Sequence, residues 1–224
     1  GNAVYFDDWQ KKDNRRLEVL QNWLADAPAG HCSVNLAKTS LAGRKVFVYA
    51  GNMGVAQGMD ILLDLAEELG SREDIGFLFV GRGSDAQKLA ADAKRRNLEN
   101  VLFHDEIDPD EIPGLYAQCD VGLVALHPRH KTHNIPGKFL TYMQSGLPVL
   151  AKINEGNDLV NLIRDERVGA VVTDNSVDLL KRTAESLVEQ CDQDGGLPSR
   201  CRVVYERLFS PEMAVKQIVN ALEK

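Results

Sequence analysis

The chain has 224 residues, 44% of them apolar and 26% charged, with a formal net charge of −7. That length and balance supply a sizeable core for one large soluble domain. The acidic total excludes a duplex nucleic-acid binder, which needs a net basic face, and leaves only a local basic patch for a small phosphate ligand. Four scattered cysteines without a CxxC pair (Cys32, Cys119, Cys191, Cys201) read as reduced thiols of a cytosolic protein rather than as a zinc site or a disulfide framework. No apolar run approaches the ~18 residues of a membrane span, and no signal peptide precedes the fold.

Residues 1–43 read as a lead-in or linker with one helix, over Arg16–Leu24, where Leu17, Leu20, Trp23 and Leu24 recur at helical spacing. From Arg44 to the end, residues 44–224, short apolar strands alternate with helices. The strands are Lys45–Ala50, Gly76–Val80, Val101–Phe103, Asp120–Leu126, Pro148–Ala151 and Ala170–Val172. The helices are Ala56–Leu69, Asp85–Arg96 behind Ser84 as N-cap, Pro109–Gln118 behind Asp108, Lys138–Ser145, Asp158–Arg164, Val177–Glu189 and Glu212–Leu222. Continuous apolar strands suit a parallel sheet buried on both faces, and the repeated alternation predicts a doubly wound, Rossmann-like α/β domain. Ligands of such sheets bind beyond the carboxyl ends of the strands, so the loops there are the places to search.

The loop after the first strand, Gly51-Asn52-Met53-Gly54 running on to Gln57 and Gly58, has three glycines in eight residues and leads into a helix. Bare backbone and free amides at a helix start suit a phosphate; a tight turn that needs glycine only for packing is the competing account. It is not a P-loop, since no Gly-Lys-Ser/Thr follows. Gly81-Arg82-Gly83-Ser84-Asp85-Ala86 after the second strand fits G-x-G-x-x-A, with Asp105-Glu106 about twenty residues on. As a dinucleotide fingerprint it is displaced, because a full strand–helix unit precedes it.

The stretch His127–Lys138 holds His127, His130 and His133 with Arg129, Lys131 and Lys138. Three histidines without a nearby carboxylate on a proline-containing loop make a poor metal set. A solvated basic loop and an anion site are the other two accounts. For the latter, Lys138 stands out because Pro136-Gly137 lead it straight into a helix N-terminus. After the fifth strand, Glu155 either accepts hydrogen bonds from sugar hydroxyls or caps the next helix. No nucleophile–base–acid constellation appears.

Four stretches taken in order resemble one family: VFVYAGNMGVAQGMDILLDLAEEL (46–69), FLFVGRGSDAQKL (77–89), NVLFHDEIDPDEIPGLYAQCDVGLVAL (100–126) and IPGKFLTYMQSGLPVLAKINEG (135–156). Together they are similar to the C-terminal domain of the group 1, or family 4, retaining glycosyltransferases, in particular bacterial members that build lipopolysaccharide O-antigen, capsule or exopolysaccharide. The resemblance runs from Arg44 to Gly169, with a closing helix at Pro211–Leu222. It implies half of a GT-B enzyme: the half that binds a nucleotide-sugar donor, UDP-linked in preference to GDP-linked, with no metal or other cofactor. The glycan or lipid-linked acceptor falls to an absent N-terminal half, and the full-length enzyme is expected in the cytoplasm, at most peripheral on the inner membrane face.

Carried over residue by residue, the resemblance places Gly51–Gly54 beside the diphosphate and Gly81-Arg82-Gly83 on the cleft floor. Phe103–Glu106 would flank the base, Ile135–Lys138 would approach the phosphates and Thr141 the ribose. Lys138 and Arg82 would steady the departing diphosphate. Many members carry Arg where Asn52 stands and Lys where Gln57 stands, and glutamates where His133 and Thr141 stand. All four charges are missing here. Two further classes stay open: a degenerate domain that binds a glycan or partner without transfer, and an NAD(P)-dependent oxidoreductase domain.

Overall fold

The computed structural model describes residues 6, 12, 17–26, 30–129 and 135–223. Six strands form one parallel sheet: β1 (Lys45–Ala50), β2 (Ile75–Val80), β3 (Val101–His104), β4 (Val121–Ala125), β5 (Val149–Lys152) and β6 (Gly169–Val172). Their order is β3-β2-β1-β4-β5-β6. The register runs from Lys45 opposite Ile75 to Ala50 opposite Val80, and from Val149 opposite Gly169 to Lys152 opposite Val172. The sequence-predicted doubly wound architecture is therefore present, and its direction of winding reverses between β1 and β4.

Helices cover both faces because neighbouring strand residues alternate between them. Phe47, Tyr49, Phe77, Phe79, Leu123 and Leu150 pack under α1 (Asp60–Glu68), α2 (Ala86–Arg95) and α6 (Val177–Gln193). Val46, Val48, Val80, Val124 and Ala151 face α3 (Ile112–Tyr116), α4 (Gly137–Ser145), α5 (Asp158–Glu166) and α7 (Leu197–Leu208). The chain closes with α8 (Pro211–Leu222), capped by Ser210, whose hydroxyl accepts from the Met213 amide.

Several local expectations change. No helix forms over Leu17–Leu24. That segment gives its backbone to its neighbours: the Leu24 amide donates to the Phe209 carbonyl, the Tyr205 hydroxyl to the Leu24 carbonyl, and the Gln217 carboxamide to the Val19 carbonyl. Docking on α7 and α8 outweighs its helical spacing. The helix expected from Ala56 splits into a 3-10 turn at Val55–Gln57 and α1, because Gly58 takes a left-handed conformation. Ser84 does not cap α2. Asp85 holds the N-cap position without a side-chain cap, and its amide donates to the Met53 carbonyl at 2.9 Å. Helix α7 was not read from the sequence, and α6 runs four residues further than expected.

Candidate functional site

The carboxyl ends of β1 and β2 and the amino end of α4 enclose a cavity of about 540 Å³ at the winding reversal. Gly51, Asn52, Gly81, Arg82, Glu106, Lys138 and Thr141 line its polar side, and Ile107, Pro109, Ile112 and Tyr116 its apolar side. The size is that of an ordinary small-molecule site.

Lys138 is the central group. It lies in the first turn of α4, where the helix dipole favours an anion and opposes a cation. Its ammonium rests 3.5 Å from the centre of the Tyr49 ring. Gly51 passes over it: a Cβ built on Gly51 would lie 3.9 Å from Nζ. Burial alone pushes the lysine down to about 7, so its side chain is only partly charged near neutrality. Tyr49 is fixed beneath by its hydroxyl, which donates to the Asn52 carbonyl at 2.7 Å. Thr141, one turn on, donates to the Lys138 carbonyl at 2.9 Å.

The glycine-rich turn is built differently from a phosphate-binding amide nest. The Gly51 amide donates to the Val80 carbonyl and the Met53 amide to the Arg82 carbonyl. The Gly54 amide donates to Gln57 Oε1 at 3.0 Å. Three of the turn's four amides are thus committed inside the protein, contrary to the expectation of free donors. Gln57 also accepts from the Asn52 carboxamide at 3.4 Å, so these two neutral residues brace each other. Met53 is buried in the core and only supports the turn.

Gly81 and Gly83 are required by this pairing. A Cβ on Gly81 would come within 2.1 Å of the Gly51 carbonyl, and one on Gly83 within 2.2 Å of the Met53 carbonyl; both glycines have φ beyond +130°. Their role is close approach of the two loops, which removes the physical basis of the dinucleotide reading at Gly81–Ala86. Gly81 lines the cavity and Gly83 does not. Arg82 Nε is paired with the Glu106 carboxylate at 3.0 Å, both side chains largely exposed. The cation expected to steady phosphates is therefore already engaged. Asp105 stands outside the lining, and so do Gly54, Gln57, Pro136 and Gly137.

Glu155 is displaced from this site. It lines a separate cavity with Pro128 and Asp174. It does not cap α5, because Asn157 does, accepting from the Leu159 amide. His127 is spent on structure: its amide donates to the Ala56 carbonyl, and its Nδ1 accepts from the Arg129 amide. Lys131 and His133, with His130, lie outside the described residues. Among the described residues no three His, Cys, Asp or Glu side chains are placed to hold a metal ion, and no helix is long and apolar enough to cross a membrane. Sequence reasoning missed the apolar wall of Ile107, Pro109, Ile112 and Tyr116. Its one signal was the amphipathic short helix behind Asp108.

A Rossmann-like domain with a small-molecule cavity at its winding reversal is the class this geometry defines. Residues 44–190 match the family described as Glycosyl transferases group 1, and the chain belongs to it. It is 24% identical over 216 residues to the probable glycosyltransferase WbjE of Pseudomonas aeruginosa, covering 92% of this chain and 52% of that protein. It is 23% identical over 221 residues to the O-antigen chain mannosyltransferase C of Escherichia coli, covering 98% and 57%. The chain thus spans about half the length of the curated relatives it matches. Among solved structures, a TarM variant of S. aureus in complex with fondaparinux, α-GlcNAc-glycerol and UDP superposes with a TM-score of 0.72 at 17% identity, over 98% of this chain and 42% of that one. Anabaena HepE in complex with UDP superposes with a TM-score of 0.66 at 18% identity, over 82% and 50%. These likenesses show the fold.

Proposed function

We propose that this chain is the donor-binding half of a retaining glycosyltransferase that serves the synthesis of a bacterial surface polysaccharide. The observation that carries the reading is the contact of Lys138 with the Gly51 turn at the wall of the cavity. A partly charged lysine at a helix amino end, with no cause but burial acting on it, is a group completed by an anion. A diphosphate set against both Lys138 and Gly51, from the cavity side, restores its full charge. The base and ribose then lie along Ile107, Pro109, Ile112 and Tyr116, with Thr141 beside the sugar–phosphate junction. Lys138 stabilises the diphosphate as it departs, with Arg82 assisting once it leaves Glu106.

The O-antigen chain mannosyltransferase among the relatives supports the polysaccharide assignment, and the UDP held by the structural neighbours supports UDP over GDP. The acceptor, a glycan or lipid-linked sugar, belongs to a second half that about half-length coverage of the relatives leaves outside this chain. No metal or cofactor takes part. The braced neutral pair Asn52–Gln57 favours one competing account, a domain that has kept the fold and lost transfer. Calorimetric titration with UDP separates the claims: saturable binding is expected, and its absence at millimolar ligand would sink donor binding.

A further inference from the structure

Lys138 and Tyr49 belong to opposite faces of the sheet. The buried neighbours of Lys138 on α4, Phe139, Leu140, Tyr142 and Met143, pack with Val48 and Val124. Tyr49 lies in the other core, with Phe47, Phe77 and Phe79. The lysine stem therefore crosses the carboxyl end of β1 beside Gly51 and sets its ammonium on the Tyr49 ring, 3.5 Å from the centroid.

The ring is a fixed platform. Tyr49 is buried and stands opposite Phe79 in the sheet, and Phe79 stands opposite Phe103, so three aromatic residues run side by side across β1, β2 and β3. The Phe79 and Phe103 rings stack with centroids 4.9 Å apart. The Tyr49 hydroxyl donates to the Asn52 carbonyl at 2.7 Å, in the turn that carries Gly51. One side chain thus fixes both the ammonium and the turn.

The ring attracts the ammonium without competing for a phosphate. A carboxylate beside Lys138 would hold the charge and repel an anion; a ring face attracts a cation and carries no net charge. Among the described residues no carboxylate acts on Lys138, which burial pushes down to about 7. The charged groups that line the same cavity, Arg82 and Glu106, are paired with each other. Tyr116, on the α3 side, is kept neutral by burial, which raises its pKa. Against the burial of Lys138 the ring is a modest counterweight, favouring the ammonium by about two- to thirtyfold.

We propose that Tyr49 is the positioning residue of this site: its ring holds the Lys138 ammonium where the donor diphosphate arrives, and its hydroxyl holds the Gly51 turn against it. The proposal rests on the donor-binding reading.

Two replacements separate ring from hydroxyl. Tyr49→Phe keeps the ring and removes the hydroxyl. A ring-fluorinated phenylalanine installed in place of Tyr49 keeps the shape of that variant and strips the negative potential from the ring face. The full chain labelled with 13C-lysine reports the Lys138 titration directly, its signal identified by its loss in Lys138→Met. For a tenfold share of the ring, fluorination is expected to lower the midpoint by about one pH unit relative to Tyr49→Phe. The charged lysine is the form that binds phosphate. UDP-glucose binding by the fluorinated variant is therefore expected within about twofold of Tyr49→Phe at about pH 6, and about five- to tenfold weaker at about pH 8. Tyr49→Phe itself is expected to keep the parent's midpoint and to bind about two- to fivefold more weakly at every pH, the share of the turn contact. An unmoved midpoint on fluorination, or a loss of affinity equal at every pH, overturns the proposal, because a packing role does not titrate. If the parent fails to bind UDP-glucose at millimolar ligand while fluorination still moves the midpoint, the donor-binding reading falls and the hold of Tyr49 on Lys138 stands.

Discussion

Lys138→Met keeps the methylene stem over Tyr49 and removes only the charge, so it measures what the ammonium contributes. A charge-assisted hydrogen bond to a phosphate oxygen contributes about 1.5–3 kcal/mol, or a factor of about 10–150 in affinity. Only a charged lysine delivers it in full. With its pKa near about 7, Lys138 is about nine-tenths charged at about pH 6, a quarter charged at about pH 7.5 and a few per cent charged at about pH 8.5. Charging it on binding then costs close to nothing, about 0.8 kcal/mol and about 2 kcal/mol respectively. The ratio of variant to parent dissociation constants is therefore expected to be about 10–150 at about pH 6, about 3–40 at about pH 7.5, and about 1–5 at about pH 8.5. Calorimetry with UDP-glucose is the assay, because its phosphates lack the terminal group that titrates near about pH 6 in UDP. Repetition in buffers of different ionisation enthalpy reports proton uptake by the parent, which Lys138→Met abolishes. Groups that titrate in both proteins cancel in the ratio. A ratio within twofold at about pH 6, or one that does not change with pH, would refute the assignment of the phosphates to Lys138.

Three further outcomes follow from the same geometry. Glu106→Gln releases Arg82 and is expected to tighten UDP-glucose binding by about two- to fivefold, with stability changed by less than about 1 kcal/mol because the pair is exposed; tenfold weaker binding would show that Glu106 itself touches the ligand. Gly83→Ala forces a Cβ against the Met53 carbonyl at a φ of +151° and is expected to cost more than about 2 kcal/mol in urea unfolding; a loss below about 0.5 kcal/mol would contradict the close-approach role. Lys152→Met removes an orphan buried amine and is expected to add about 1–3 kcal/mol of stability, raising Tm by about 2–4 °C for each kcal/mol. Because the folded state lowers the Lys152 pKa, the unfolded chain binds the extra proton, so parent stability rises with pH up to the ordinary lysine range. The variant should flatten that rise, and a lower Tm would show that the amine has a partner in solution.

The proposed phosphate site draws on two different parts of the fold. The turn at Gly51–Gly54 keeps its glycines, yet its amides are tied to β2 and Gln57, and its side chains carry no charge. Close approach of bare backbone is what the turn still provides. On the proposed reading the cation comes from α4, on the other side of the reversal in winding.

By itself the sequence determined the class of fold and the edge of the sheet that carries the site. Apolar runs such as KVFVYA and GFLFV have no solvent face to spare, which dictates a sheet covered on both sides, and the glycines that end them mark the carboxyl edge. It also singled out Lys138, since Pro136-Gly137 announce a helix start. Helix α7 buries Leu197, Cys201, Val204 and Tyr205 at helical spacing, but Gly195-Gly196 and Pro198 at its start obscure that signal in the sequence. Only the tertiary structure decided strand order, and with it which loops meet. Gly51 and Lys138 are far apart in the chain and face each other because β1 lies beside β4. The same packing sent Glu155 to a different cavity, engaged Arg82 with Glu106, unwound Leu17–Leu24 onto α7 and α8, and buried Lys152 without a hydrogen-bond partner among the described residues. Periodicity reports which face of an element is buried, a local property. Which polar groups are left without partners depends on every neighbour brought in by the fold, and no window of sequence contains them.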